Sequence, residues 1–138
     1  MNIRNEVKMI KKQIISWRRY FHENPELSFK EFNTAKIITS ELKSMGFKPK
    51  IKVGITGVTA DLKFGEGPVI GLRADMDALP MQETSGLPFA SKNDGVMHAC
   101  GHDGHVAMLL ATAKIMSQKN NQHRGTIRFI FQPAEEGH

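Results

Sequence analysis

A chain of 138 residues with 40% hydrophobic and 24% charged residues has the balance of one soluble globular domain, long enough to bury a real core. No apolar run approaches the roughly 20 residues of a membrane-spanning helix, residues 1–15 lack a signal-peptide core, and a single cysteine forms no internal disulfide; these exclude a membrane partner and point to the cytoplasm. The net charge of +5 does not mark a nucleic-acid binder, because the 12 basic and 5 acidic residues up to Lys52 become 7 and 9 beyond it, and no zinc finger, aromatic RNA-binding motif or long basic arm is present.

Ile3, Val7, Ile10, Ile14, Trp17 and Phe21 recur at steps of four and three and predict one amphipathic helix. Asn24-Pro25 ends it, since proline disfavours helical geometry in the residue before it. Ser28-Phe29-Lys30-Glu31 has the spacing of a capping box, with Leu27 and Phe32 as a hydrophobic staple. It predicts a second helix running to about Met45, with Ala35, Ile38, Leu42 and Met45 inward and Gly46 as its stop.

The period then changes to two. Phe47, Pro49, Ile51 and Val53 alternate with Lys48, Lys50 and Lys52, and Pro49 marks this strand as an edge. Val58, Ala60, Leu62 and Phe64 give a second strand, and Gly65-Glu66-Gly67-Pro68 a turn. Val69 to Leu72 reads as a short buried strand. Residues 78–97 read as loop. A helix is predicted from His105 to about Gln118, with Val106, Leu109, Leu110, Ala113 and Met116 inward and Asn120, Asn121 and Gln122 closing it. Thr126 to Phe131 is the last strand. The order predicts an α/β fold, a sheet with helices packed on it.

Three stretches carry chemistry. In His98-Ala99-Cys100-Gly101-His102, alternate side chains of an extended segment share a face, so a thiolate and two imidazoles could meet one zinc ion, Gly101 allowing close approach. The bland alternative is a buried free cysteine beside a capping residue. Asp103 suits a helix N-cap or a partner that fixes an imidazole tautomer, and His105 lies one helical step from His102. Asp75 and Asp77 end a strand, where carboxylates line the crevice of an open α/β sheet; they equally suit a turn, or an ion pair with Arg73. In Glu135-Glu136 neighbours point in different directions, so one carboxylate can hold metal while the other moves a proton; two solvated glutamates would look the same.

Together the motifs are recognisable. Arg18-Arg19-Tyr20-Phe21-His22-Glu23-Asn24-Pro25-Glu26-Leu27-Ser28, Arg73-Ala74-Asp75-Met76-Asp77-Ala78-Leu79-Pro80 with Glu83, Met97-His98-Ala99-Cys100-Gly101-His102-Asp103-Gly104-His105 and Phe131-Gln132-Pro133-Ala134-Glu135-Glu136-Gly137 occur in that order. The chain resembles the aminoacylase/carboxypeptidase family of dinuclear zinc peptidases, in the subgroup of hippurate hydrolases and indole-acetyl-amino-acid amidohydrolases. The resemblance implies a zinc-peptidase-like (phosphorylase/hydrolase-like) α/β fold and hydrolysis of the amide bond of small N-acyl amino acids or peptides. It implies Cys100, His102 and Glu136 as metal ligands, Glu135 as general base and Asp75 as a residue orienting a ligand; His98, Asp103 and His105 match subgroup positions without an assigned role. It also implies two divalent cations per complete site, zinc or manganese, with cobalt compatible.

Members of that family are much longer. They carry two further metal-binding histidines downstream of position 138 and an inserted domain used for homodimerisation and substrate contact; His123 and His138 match neither ligand. Residues 1–138 are therefore expected to be the N-terminal part of a catalytic domain, a fragment without robust activity alone. The alternative from another class is a non-catalytic metal-binding or interaction module that reuses the fold.

Overall fold

The computed structural model describes residues 3–119 and 123–137, so the expected helix end at 120–122 and His138 lie outside the described residues. The elements are α1 (Ile3–Met9), α2 (Lys11–Glu23), α3 (Phe32–Ser44), β1 (Lys50–Val53), β2 (Gly57–Lys63), β3 (Val69–Asp75), α4 (His102–Ser117) and β4 (Thr126–Gln132). The four strands form one mixed sheet in the order β1-β2-β4-β3. β4 runs antiparallel to β2 and parallel to β3. A parallel neighbour needs a crossover, which residues 76–101 and α4 supply. No helix among the described residues is long and apolar enough to cross a membrane.

Period-two burial is clean on the two central strands. Val58 and Ala60 of β2 and Phe129 and Phe131 of β4 are buried on one face, where Ile38 and Leu42 of α3 and Val106 and Leu110 of α4 pack against them. Trp17 and Phe21 of α2 close the same core. On the opposite face Asp61 and Arg128 are cross-strand partners joined by two hydrogen bonds of 2.7 and 2.8 Å.

Several expectations are corrected. The first helix is two, interrupted at Ile10 (φ −103°, ψ 9°), which leaves Val7 39% exposed while Ile10 and Ile14 still reach the core. β3 is an edge strand rather than a buried one: among the described residues it pairs only with β4, and Val69 and Ile70 are about three-fifths exposed. β1 does lie at the other edge, but Lys52 adopts φ 59° and breaks its alternation, so Ile51 and Val53 face solvent and only Phe47, just before the strand, enters the core. Phe47 meets Phe129 edge to face at 5.6 Å. α4 begins at His102, ahead of the predicted His105.

The capping box does not form. Helix α3 starts at Phe32, Glu31 makes no side-chain cap, and Phe32 is 65% exposed, so there is no staple. Glu26 does the capping instead: its carboxylate accepts the amides of Asn33 (3.0 Å) and Thr34 (2.8 Å), a negative charge at the positive end of the helix. The far end follows expectation. Gly46 (φ 89°) donates to Lys43 O, and Phe47 to Leu42 O, both at 3.0 Å, the Schellman pattern. Gly46→Ala meets no steric obstacle but must hold a left-handed conformation. It is expected to cost about 1 kcal/mol in urea denaturation, with the slope unchanged.

Candidate active site

β3 and β4 run side by side with Asp75 opposite Gln132, so residues 75–77 and 133–137 leave the sheet at the same end. The crossover brings the start of α4 back to that end, the place where parallel strands of open sheets build their crevices. Residues 76–101 are not free chain: Met76 donates to Gln132 O at 2.9 Å, and bridges join Leu27 to Ala78 and Leu79 to Met97.

His102 is the centre of the arrangement. Its side chain is buried, and its Nδ1 lies 2.8 Å from the backbone oxygen of Asp77. A carbonyl only accepts, so Nδ1 carries the hydrogen and Nε2 presents its lone pair. Nε2 faces Glu135 Oε2 at 3.8 Å and Glu136 Oε1 at 4.0 Å. Donor atoms of Asp75, His102 and Glu135 all fall within 4.8 Å of one another. Asp75 also accepts from Arg73 Nε at 2.7 Å, so its ion pair and its place beside His102 coexist.

Cys100 is exposed and lies outside the close-lying group of Asp75, His102 and Glu135, with the Glu136 carboxylate near enough to act on its thiol. The Glu136 carboxylate raises the thiol's pKa, with partial desolvation and the charges of Glu135 and Asp77 acting the same way. A thiol, an imidazole lone pair and carboxylates at one end of the sheet are a donor set suited to a divalent metal, whose charge would reverse that repulsion. Gly101 (φ 79°) makes the turn between Cys100 and the helix. His98 is not in the close-lying donor group of Asp75, His102 and Glu135. It is buried, with neither ring nitrogen hydrogen-bonded among the described residues. Burial pushes its pKa down to about 4, assisted by His102 and His22 and opposed by Asp103 and Asp77. The segment turns into α4 at His102 instead of staying extended.

Asp77 matters more than its sequence reading suggests. Buried to 1%, it receives Ser28 Oγ at 2.7 Å and the Glu136 amide at 2.8 Å on Oδ2, while Oδ1 lies 3.5 Å from His102 Nδ1 without a hydrogen bond among the described residues. Burial alone would raise its pKa; the Ser28 hydroxyl and the Glu136 and Glu135 amides outweigh it and hold the carboxyl below the ordinary range.

Asp103 is not an N-cap. It is the second residue of α4, buried, and its Oδ2 takes His22 Nδ1 at 2.8 Å and Arg18 Nε at 3.1 Å. The other ring nitrogen of His22 lies 3.1 Å from Glu83 Oε1, and Glu83 also accepts from the Ser85 hydroxyl and the Ser91 amide. Desolvation works against Glu83's charge, but Ser85, Ser91 and His22 together lower its pKa to about 2. This buried chain joins α2, the long loop and the start of α4 directly behind Cys100 and His102. His105 is exposed, its ring 5.8 Å from that of His102, and lines a shallow groove with Asp75, Leu72 and Met108.

Residues 71–138 match the profile of peptidase family M20/M25/M40. An N-acyl-L-amino acid amidohydrolase of Geobacillus stearothermophilus is 53% identical over 136 residues, covering 97% of this chain and 36% of that protein. A hippurate hydrolase of Campylobacter jejuni is 47% identical over 138 residues, covering 99% and 36%. A Bacillus subtilis protein solved as a dinuclear metal-binding peptidase of the M20 family superposes with a TM-score of 0.88 at 49% identity, over 94% of this chain and 36% of that one. The chain thus spans 36% of the length of each of these proteins. By sequence and by fold, the chain is similar to members of peptidase family M20/M25/M40, whose profile spans its residues 71–138.

Proposed function

We propose that this chain carries the metal-binding and proton-transfer face of an amidohydrolase acting on N-acyl amino acids. The observation that carries the reading is the convergence of His102 Nε2 with the Glu135 and Glu136 carboxylates beside the Cys100 thiol, at the mouth of two parallel strands. The names of the relatives, N-acyl-L-amino acid amidohydrolase and hippurate hydrolase, support the substrate class. On this reading residues 1–138 correspond to one part of the relatives' catalytic unit, and the protein works in the cytoplasm, where its thiol stays reduced.

Cys100, His102 and Glu136 would hold metal, with Asp75 orienting this group and Asp77 fixing the His102 tautomer. Thiolate and imidazole suit zinc, while the carboxylates also accept manganese or cobalt. A bound divalent metal would supply Lewis acidity, lowering the pKa of water and polarising the amide carbonyl. Glu135, with a side chain 41% exposed, is free to take the proton of the attacking water and return it to the leaving nitrogen.

Cobalt(II) titration of the purified chain tests the metal reading. Stoichiometric uptake with a thiolate-to-cobalt absorption band is expected, the band disappearing in Cys100→Ser and affinity falling at least about tenfold in His102→Ala. A spectrum identical to that of cobalt in buffer would sink it.

A further inference from the structure

The Ser28-x-x-Glu31 spacing looks like a helix cap, yet neither side chain caps α3, whose amides are held by Glu26. Both turn toward the site. Glu31 is fully buried; its Oε1 accepts the Ala134 amide at 2.9 Å and its Oε2 the Thr56 hydroxyl at 2.5 Å. Ser28 donates to Asp77 Oδ2, the oxygen that also accepts the Glu136 amide. The amides on either side of Glu135 are therefore each bound by a buried carboxylate from a different part of the chain.

The loop they hold is not one that relaxes into place by itself. Ala134 has φ 52°, a left-handed conformation that non-glycine residues adopt only when their surroundings impose it. Gly137 closes the loop against Ser28, where an added Cβ would stand 2.8 Å from the serine Cβ. No hydrogen bond among the described residues holds the Glu135 carboxylate itself; His102 Nε2 faces it at 3.8 Å. Its position is set by the backbone, and the backbone is set by Glu31 and by the Ser28–Asp77 pair.

We infer that Glu31, with Ser28, is a positioning residue that clamps the 133–137 loop and so aims Glu135 and Glu136. The catalytic meaning of the clamp rests on the proposed role of Glu135 as base; the clamp itself does not. The experiment is amide hydrogen exchange on the purified metal-free chain, read at the amides of 134–137 against α3 and β4 as internal references. Glu31→Leu is expected to speed exchange at Ala134 and Glu136 about tenfold, the loss of one hydrogen bond, with the references unchanged. Glu31→Gln keeps an oxygen for Ala134 and a donor for Thr56, and should restore wild-type protection, which a role for the charge alone would not predict. Ser28→Ala provides a second variant, expected to raise exchange at Glu136 selectively. Wild-type protection at 134–137 in both Glu31→Leu and Ser28→Ala overturns the inference, as does selective loss with Glu31→Gln equal to that with Glu31→Leu. Cobalt uptake is measured in parallel: wild-type chain that binds no cobalt removes the metal reading while a positive exchange result still upholds the clamp.

Discussion

On the proposed reading, Glu135→Gln is expected to lower kcat for hippurate hydrolysis by about 10²–10⁴-fold, with KM little changed, when residues 1–138 are joined to the rest of a relative's catalytic unit and loaded with metal. The substitution keeps the shape of the side chain and removes only its ability to take a proton. Glu135 is more exposed than Glu136, at 41% against 23%, and faces the same imidazole nitrogen. The variant also separates two donor sets. If Glu136 is the ligand, Glu135→Gln leaves cobalt affinity nearly intact and Glu136→Gln weakens it at least about tenfold. If metal is instead held by the close-lying group of Asp75, His102 and Glu135, the two variants exchange behaviour. Initial rates and cobalt titrations on both variants decide between them. Turnover in Glu135→Gln equal to wild type would remove the general-base role altogether, and stoichiometric metal without turnover in the wild type would favour the non-catalytic module.

The parts of this site that were legible from the sequence are those encoded by neighbours. Gly46 as a helix stop, the alternation of Val58, Ala60 and Leu62, and the inner face of α4 are local patterns, and the structure uses them as read. Cys100, His102, Glu135 and Glu136 stood out because their residue types are unusual at close spacing. What failed was everything that depends on a distant partner. Ser28 and Glu31 satisfy the spacing of a cap, but Asp77 and Ala134 offer them partners that no local pattern reveals. Asp75 and Asp77 look equivalent in the sequence. Only the pairing of β3 with β4 shows that Asp77 is the one buried under the Glu136 amide and His102. Val69 to Leu72 reads as buried because an apolar run does not say which strand lies at an edge. His22 and Glu83 were visible as motif members with no chemistry attached, since 61 residues separate the two ends of their hydrogen bond.

That His22 link predicts the largest stability effect in the molecule. The ring bridges Asp103 and Glu83, and the three side chains are 5%, 1% and 2% exposed. Each carboxylate accepts only, so a ring nitrogen serves it as a partner only when that nitrogen carries a hydrogen. His22→Leu fills the volume but leaves two buried carboxylates short of a partner, the situation in which breaking a buried pair costs about 3–5 kcal/mol. Arg18 still reaches Asp103, and Ser85 and Ser91 still reach Glu83, which places the loss toward the lower end of that range. The pH dependence carries a sign. Glu83's pKa is depressed from 4.5 to about 2, so its contribution is fully present above about pH 4.5 and is lost as pH falls through about 2. Removing His22 takes away one of the groups that depress it, so the fall in stability should still start at about pH 4.5 but be shallower and end at a higher pH than in the wild type. Urea denaturation of wild type, His22→Leu, Glu83→Gln and the double variant across that range measures both effects. The double variant should cost clearly less than the sum of the singles, because the second change removes the charge that the first left stranded. Additive losses with an unshifted acid limb would show that the His22 ring and the Glu83 carboxylate are neighbours without being partners, and α2 would then hold the start of α4 through Asp103 alone.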